Sequence, residues 1–279
     1  MIRSALFVPA HREGWVEKAL RAGPDAVILD LEDAVPDAEK DTARALVGAG
    51  VATIAAAGVV PMVRPGELRD LEACLVAGLE ALVLPKIDRI EDVVPYAAAL
   101  DRETGIVVTL ETALGYLNAA ELARIPRVVG LFAATGKGGD VQRELGYRPT
   151  TSGLETLYIR SQAVLAARAA SLPHILTGPW QELDDLDGLR RQAEFDRDLG
   201  FTGEALIHPA GVEIVNEIYS LSAVELEYHA GLVSAYEEAQ REGIGAVIYR
   251  GAHIDAAHYR TSLAVVEDAR RTGRLEGDS

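Results

Sequence analysis

Charged side chains follow most of the apolar runs in this sequence, each at the point where a run ends. The run "AVIL" at 26–29 leads directly into three carboxylates, Asp30, Glu32 and Asp33. Later runs are followed, in chain order, by Arg64, Lys86, Glu111, Asp140 and His208. Acids and bases gathered in this way could bind a cation, hold a carboxylated substrate or transfer protons. The alternative is an ordinary strand edge, where acids are common because they tolerate water.

Glu111 and Asp140 are the best candidates for metal ligands. Mg²⁺ prefers oxygen ligands in an octahedral arrangement and keeps several of its waters, so two carboxylates with open positions suit it. We therefore predict one Mg²⁺ on these two side chains, with a pair of solvated loop acids as the alternative. Zinc is not expected, because the six histidines form no HExxH pattern and there is a single cysteine.

The acids at 30–33 are predicted to line this metal site rather than all to bind the ion. Mg²⁺ usually takes only one or two protein carboxylates. Asp30, Glu32 and Asp33 would then bind metal-coordinated water or orient Arg64. An arginine at this position can pair with a carboxylate through two hydrogen bonds or stabilise an enolate oxygen. A salt bridge to a neighbouring acid is the structural alternative for Arg64.

Two other basic features have weaker signals. The stretch Gly136-Lys137-Gly138-Gly139 suggests a phosphate loop, but its glycine spacing differs and no Ser or Thr follows the lysine. A flexible loop that carries Asp140 inward is the better interpretation. Arg12 and Lys18 stand six positions apart after the first apolar run, where they could meet phosphates of an extended ligand. Solvated surface charge is the alternative for both.

Eight short apolar runs alternate with segments of helical spacing, and together they predict the elements that position these residues. The runs are "SALFVPA", "AVILDLED", "VVPMVRP", "ALVLPK", "IVVTLET", "RVVGLFAAT", "HILTGP" and "ALIHPA". Continuous apolar runs are typical of parallel strands covered on both faces. Eight such units predict a TIM (β/α)8 barrel, in which active-site groups come from the carboxyl ends of the strands. A doubly wound open sheet is the alternative, although no Gly-rich dinucleotide motif follows the first run.

Residues 1–218 are assigned to the barrel and 219–279 to a C-terminal helical extension. Ser222 and Glu225 form a capping-box signal before an amphipathic helix. The pair Ser152 and Glu155 gives the same signal before "LYIRSQAVLAARAA". The extension is expected to pack on the barrel or on a neighbouring subunit.

Composition limits the classes of function. The chain has 279 residues, 27 basic against 43 acidic side chains and a net charge of −16, which argues against nucleic-acid binding. The longest uncharged stretch, 48–63, falls short of the ~20 apolar residues that a membrane span needs. Cys74 is the only cysteine, so no intrachain disulfide can form. We expect a soluble, cytoplasmic protein without a membrane partner.

These motifs together resemble the citrate lyase β-subunit and malyl-CoA lyase family of the HpcH/HpaI aldolase superfamily. The resemblance covers nearly the whole chain and rests on a combination of stretches. They are "RSALFVPAHR", "AVILDLEDAVPDAEKDTAR", "VLPKI", "TLETALGYLNA", "GGDVQRELG", "RSQAVLAARAA", "GLRRQAEFDRDLGF" and "ALIHPAGVEIVNEIYS".

The resemblance implies a TIM barrel that uses Mg²⁺ to cleave or form a carbon–carbon bond next to a CoA thioester. It places the metal carboxylates on Glu111 and Asp140 and the substrate arginine on Arg64. It also implies an acid, Asp255 of the "ID" pair, that reaches a neighbouring subunit's site in a homotrimer or a dimer of trimers. The family's acyl-CoA-binding positions fall on Phe7, Arg12 and Lys18.

Three sequence details bear on this resemblance. The loop before Asp140, "FAATGKGGD", is longer than the family's usual "FG-x-x-D", and Ala10 stands where glycine is common. "DLEDAV" carries no histidine, which favours the acyl-CoA branch over the pyruvate-aldolase branch.

The expected activity is retro-Claisen or retro-aldol cleavage of a β-hydroxyacyl-CoA such as malyl-CoA or citramalyl-CoA. Arg64 would stabilise the thioester enolate and Asp255 would protonate it. The alternatives are a CoA-independent aldolase or hydrolase that acts on a 2-oxoacid, and a non-catalytic subunit of a lyase complex that depends on an acyl carrier.

Overall fold

The computed structural model describes residues 2–271, and the chain divides after Tyr219 into two compact units. The first unit contains eight parallel strands, each hydrogen-bonded to the next, and the eighth pairs with the first. They are β1 (Ser4–Pro9), β2 (Ala26–Asp30), β3 (Val60–Arg64), β4 (Ala81–Leu84), β5 (Gly105–Leu110), β6 (Val128–Ala134), β7 (His174–Gly178) and β8 (Gly203–Leu206). The predicted TIM barrel is confirmed, and the open sheet is excluded because β8 closes on β1.

Helices connect the strands on the outside of the barrel. They are α1 (Trp15–Leu20), α2 (Lys40–Ala56), α3 (Leu71–Cys74), α4 (Ile90–Ala99), α5 (Ala113–Leu117), α6 (Ala119–Leu122), α7 (Asp140–Leu145), α8 (Leu157–Ala169), α9 (Leu186–Leu199) and α10 (Val212–Ile218). A buried ion pair between Arg160 and Asp196, 2.7 Å between nitrogen and oxygen, ties α8 to α9. Removing one partner of such a pair typically costs about 3–5 kcal/mol, because the other charge stays buried.

The strands are apolar throughout because both of their faces are covered. Along β2, Ile28 belongs to the small core inside the barrel, whereas Val27 and Leu29 belong to the larger core beneath the helices. This alternation brings Asp30 to the inner face at the end of the strand. Burial of one such aliphatic side chain contributes about 1.5–3 kcal/mol. The apolar wall therefore fixes the strand ends from which the polar residues project.

Two local predictions differ from the structure. The pair Ser152 and Glu155 does not cap a helix, because the Glu155 carboxylate instead accepts hydrogen bonds from the backbone N–H and hydroxyl of Thr150. The helix begins at Leu157, after a short 3-10 turn. The eighth strand begins at Gly203, two residues before the apolar run, since the buried Glu204 is part of the ladder.

The second unit contains α11 (Ala223–Arg241), a hairpin of β9 (Val247–Tyr249) and β10 (Ala252–Ile254), and α12 (Ala256–Arg271). The predicted capping box of Ser222 and Glu225 is confirmed at the start of α11. Leu232, Tyr236 and Ile254 form the small core of this unit. Within residues 2–271, no helix combines the length and the apolar character needed to cross a bilayer.

Candidate active site

Arg64 and Asp30 form a fixed pair at the carboxyl end of the barrel. They are register partners on neighbouring strands, and both point inward. The guanidinium donates from Nε and Nη2 to the two carboxylate oxygens of Asp30, each at 2.7 Å. Asp30 is fully buried and also accepts from the backbone N–H groups of Glu32 and Ala34. This two-point pairing fixes the orientation of the guanidinium plane as well as the position of its charge.

Two further contacts hold the guanidinium of Arg64. Its central carbon lies 4.6 Å from the ring centroid of Phe7, and its Nη1 lies 3.0 Å from Glu32 Oε2. Burial opposes the charge on Arg64, but the hydrogen bonds and charges of Asp30 and Glu32 outweigh it, so the pKa is raised. Arg64 therefore stays cationic and immobile at the mouth of the barrel.

Lys86 brings a second cation into the same space. Its ammonium donates to Glu32 Oε1 at 2.8 Å and lies 3.8 Å from Asp33 Oδ1 and 3.9 Å from Asp140 Oδ2. Lys86 has a backbone φ of 53°, which is sparsely populated for a residue with a Cβ. Its backbone N–H donates to Glu111 Oε1 at 2.5 Å. Lys86 thus contacts four acids that come from three different segments of the chain.

Glu111 and Asp140 lie on either side of Lys86. Glu111 is nearly buried and follows β5, whereas Asp140 is the first residue of α7 and pairs with Arg143 in the same helix. Burial, reinforced by the charge of Glu32, raises the pKa of Glu111 to about 7. The hydrogen bond from the Lys86 backbone and the charges of Arg64 and Lys86 act in the opposite direction but do not outweigh burial.

The donor set fits a hard divalent cation. Five carboxylates lie at this rim, whereas the cations beside them are Arg64, Lys86, Arg143 and Lys40, so full ionisation leaves an excess of one negative charge. Within residues 2–271, no cluster of three or more His, Cys, Asp or Glu side chains is arranged as a metal site. A Mg²⁺ site built on two carboxylates, with the other positions taken by water and substrate, needs no such cluster.

The structure brings together only part of the set predicted from the sequence. The side chain of Asp33 is 71% exposed and lies 3.8 Å from the ammonium of Lys86. His208 lies after β8, where its ring Nδ1 accepts from the backbone N–H of Ala210, so it acts as a cap of the following turn. Ala10 is buried, and its N–H donates to the carbonyl of Asp30 at 2.9 Å.

Arg12 and Lys18 lie next to an aromatic ring. Their charged groups are 5.8 Å and 5.7 Å from the ring centroid of Trp15. Helical spacing places Trp15 on an apolar face with Val16 and Leu20, yet its side chain is 48% exposed. The helical spacing therefore did not reveal that this ring is exposed.

Asp255 lies in the second unit, at the start of α12. Its Oδ1 accepts from the backbone N–H groups of Ala257 and His258, at 2.9 and 3.3 Å, and lies 2.7 Å from His258 Nδ1. The hydrogen bond with the His258 side chain contributes most to lowering the pKa of Asp255. Asp255 therefore stays ionised in the single chain.

Comparison with known proteins identifies the family of this chain. Residues 3–209 match the model of the HpcH/HpaI aldolase/citrate lyase family. The chain belongs to this enzyme family. It is 37% identical to a (3S)-malyl-CoA thioesterase of Cereibacter sphaeroides, with 96% of this chain and 94% of that protein covered. It is 30% identical to the citrate lyase subunit beta of Escherichia coli, over 98% of this chain and 95% of that one.

The crystal structure of one similar protein contains bound ligands. The crystal structure of CitE from Mycobacterium tuberculosis, in complex with magnesium, acetoacetate and coenzyme A, superposes with a TM-score of 0.75 at 28% identity. The match covers 95% of this chain and 98% of that one. The resemblance inferred from the sequence motifs is thus confirmed at the level of the family.

Proposed function

We propose that this protein cleaves a carbon–carbon bond in a β-hydroxyacyl-CoA such as malyl-CoA or citramalyl-CoA, with Mg²⁺ bound by Glu111 and Asp140. The observation that carries the proposal is the immobilised Arg64 beside a surplus of carboxylates. The surplus attracts a divalent cation, and the arginine attracts a negative oxygen of the substrate. The ligands of the Mycobacterium tuberculosis CitE, magnesium, acetoacetate and coenzyme A, support the same pairing of metal and thioester.

Mg²⁺ held by Glu111 and Asp140 would supply a Lewis acid for oxygens of the substrate. In malyl-CoA the hydroxyl proton passes to water, the bond between the hydroxyl-bearing carbon and the thioester α-carbon breaks, and glyoxylate leaves. The electron pair remains on the thioester as an enolate. Arg64 stabilises the enolate oxygen, since its two-point pairing with Asp30 holds it in place before charge develops. Protonation of the α-carbon then gives acetyl-CoA.

Thioester hydrolysis is the second candidate, favoured by the 37% identity to a (3S)-malyl-CoA thioesterase. Water would then attack the thioester carbonyl and release malate and free CoA. The same arginine would stabilise the negative oxygen that forms in that attack. The two reactions share substrate and site but differ in their products.

Product analysis separates the two candidates. Purified protein with malyl-CoA and Mg²⁺ is expected to form acetyl-CoA and glyoxylate in equal amounts, measured by chromatography and as the glyoxylate hydrazone. Thiol release without glyoxylate would refute the lyase proposal in favour of hydrolysis. A Glu111→Gln preparation made in parallel is the control for contaminating enzymes. A CoA-independent aldolase would instead act on free acids, so activity on malyl-CoA together with no activity on the free acids excludes that alternative.

We also propose that the active form is a homotrimer or a dimer of trimers in which Asp255 protonates the enolate in the neighbouring subunit's site. The support is the resemblance of Ile254-Asp255 to the family's motif and the chemical need for a proton donor near the enolate. The hydrogen bonds that lower the pKa of Asp255 in the single chain would have to be replaced there, because a donor must first take up a proton.

Mixed oligomers test this arrangement. Asp255→Ala and Glu111→Ala subunits, each inactive alone, are expected to regain part of the activity after dissociation and joint reassembly. Random mixing at equal ratios leaves some sites with both acids intact. The measurement is turnover in mixtures whose composition is verified by native mass spectrometry. Full activity in a protein that is strictly monomeric would contradict the proposal.

A further inference from the structure

A cavity of about 540 Å³ lies between α8, α9 and the loops that precede these two helices. Its lining from the helix side consists of Thr156, Arg160, Gly188, Arg191, Gln192 and Phe195. Segments of the loops at 147–153 and 179–185 complete the wall. The lining includes none of the candidate active-site residues Arg64, Lys86, Glu111 and Asp140. Small-molecule sites typically have volumes of about 300–1,000 Å³, so this cavity is large enough to bind a ligand of its own.

Three aromatic rings line this cavity, those of Tyr147, Trp180 and Phe195. The indole N–H of Trp180 donates to the carbonyl of Glu182 at 2.8 Å, which fixes the ring in place. The same ring packs closely on the backbone of α9, because a Cβ at Gly188 would lie 2.4 Å from one of its carbons. The cavity therefore offers a preformed flat surface to a planar ligand.

The charged side chains that line the cavity already have partners. The pairs are Lys137 with Glu182, Arg191 with Asp185, and Arg160 with Asp196, while Glu155 accepts hydrogen bonds from Thr150. A ligand ion would lose its hydration on entry without gaining an unpaired opposite charge, and such a loss is costly. The pairing of these charges therefore favours a neutral ligand.

Three other polar atoms of the lining residues lack partners. Within residues 2–271, the hydroxyl of Tyr147, Nε of Arg160 and Oε1 of Gln181 are buried and make no hydrogen bond. Arg160 as a whole is only 4% exposed. The first two groups can donate a hydrogen bond and the third can accept one. Buried polar groups are normally satisfied, so these three atoms indicate a ligand that has both an acceptor and a donor.

We propose that this cavity is a second ligand site, for a neutral planar heteroaromatic molecule that carries a hydrogen-bond acceptor and a hydrogen-bond donor. The ring of the ligand packs on the aromatic side chains. Its acceptor binds the donors of Tyr147 and Arg160, and its donor binds Oε1 of Gln181. The site goes beyond the proposed function, because it involves neither the CoA thioester nor the metal.

Fluorescence of Trp180 tests the class of ligand. Trp15→Phe leaves Trp180 as the only tryptophan, and Trp15 does not line the cavity. The probes are nicotinamide and nicotinate, which share a ring but differ in charge, with adenine and uracil as further neutral compounds. Nicotinamide is expected to give a saturable change, and nicotinate to bind at least about tenfold more weakly. Equally tight binding of nicotinate, or no saturable response to any neutral probe, would overturn the proposal.

Removal of one hydroxyl tests the position of the site. In the Trp15→Phe background, Tyr147→Phe keeps the ring and is expected to weaken nicotinamide binding about three- to tenfold, the effect of one neutral hydrogen bond. The matched control is Tyr158→Phe, which changes a tyrosine of α8 that is 73% exposed and outside the lining. Its affinity is expected to equal that of the parent, and circular dichroism checks the fold of both variants. Unchanged affinity in Tyr147→Phe would refute this cavity as the binding site.

Variants of the candidate active site separate the two sites. The affinity for nicotinamide is expected to be unchanged in Glu111→Gln and in Arg64→Lys, because neither residue lines the cavity. A loss of affinity in these variants as large as in Tyr147→Phe would place the probe in the active site and overturn the proposal.

Discussion

Replacing Glu111 by glutamine is expected to remove Mg²⁺-dependent turnover, with a fall in kcat of about a thousandfold or more. A metal Lewis acid supplies several kcal/mol of charge stabilisation, and each 1.36 kcal/mol is a factor of ten in rate. The amide keeps the shape of the side chain but loses the negative charge that the ion needs. Asp140→Asn is expected to act in the same way, since the proposed ion has only these two protein ligands.

Metal binding supplies a readout that does not depend on turnover. Mn²⁺ is a spectroscopic substitute for Mg²⁺, and its affinity measured by electron paramagnetic resonance is expected to fall at least tenfold in either variant. The matched control is Asp33→Asn, which changes an acid of the same rim whose side chain is 71% exposed and lies 3.8 Å from the ammonium of Lys86. The kcat of Asp33→Asn is expected to stay within about tenfold of the parent value, because Asp33 is not one of the two proposed metal ligands. Unchanged Mn²⁺ binding in Glu111→Gln would show that the ion lies elsewhere.

Replacing Arg64 by lysine is expected to lower kcat by about 10²–10³-fold, the usual effect of removing one preorganised oxyanion donor. Lysine keeps the charge but is a point donor, so it cannot bridge both oxygens of Asp30 and reach Glu32 as the guanidinium does. The stacking on Phe7 is lost as well. The measurement is kcat and KM for malyl-CoA at saturating Mg²⁺.

Arg3→Lys is a matched control for the structural cost of that change. Arg3 makes the same two-point pair with Asp25, from Nε at 2.8 Å and Nη2 at 2.7 Å, at the opposite end of the barrel. Both variants are expected to lose thermal stability, but only Arg64→Lys is expected to lose turnover. A similar fall in kcat for both would mean that Arg64 acts through the fold rather than on the substrate.

The sequence by itself determined the architecture and the membership of the rim. Eight apolar runs that alternate with helical spacing can bury both faces of a parallel sheet only with helices outside, and such units close as a barrel. The end of each run then places its first charged residue at one edge. Asp30 and Arg64 meet for this reason, since both end neighbouring strands in register. Glu111 could be assigned to the same rim from its position alone.

Only the tertiary structure decided which of the rim residues share contacts and which face water. Lys86 lies among Glu32, Asp33 and Asp140. Its backbone is left-handed, and the surrounding sequence contains no pattern that predicts this conformation. Helical spacing groups Trp15 with its apolar neighbours, but it does not show whether another part of the fold covers that face. In the structure Trp15 is 48% exposed. Periodicity records where a side chain points along its own element, whereas burial and pairing depend on neighbours brought together by the fold.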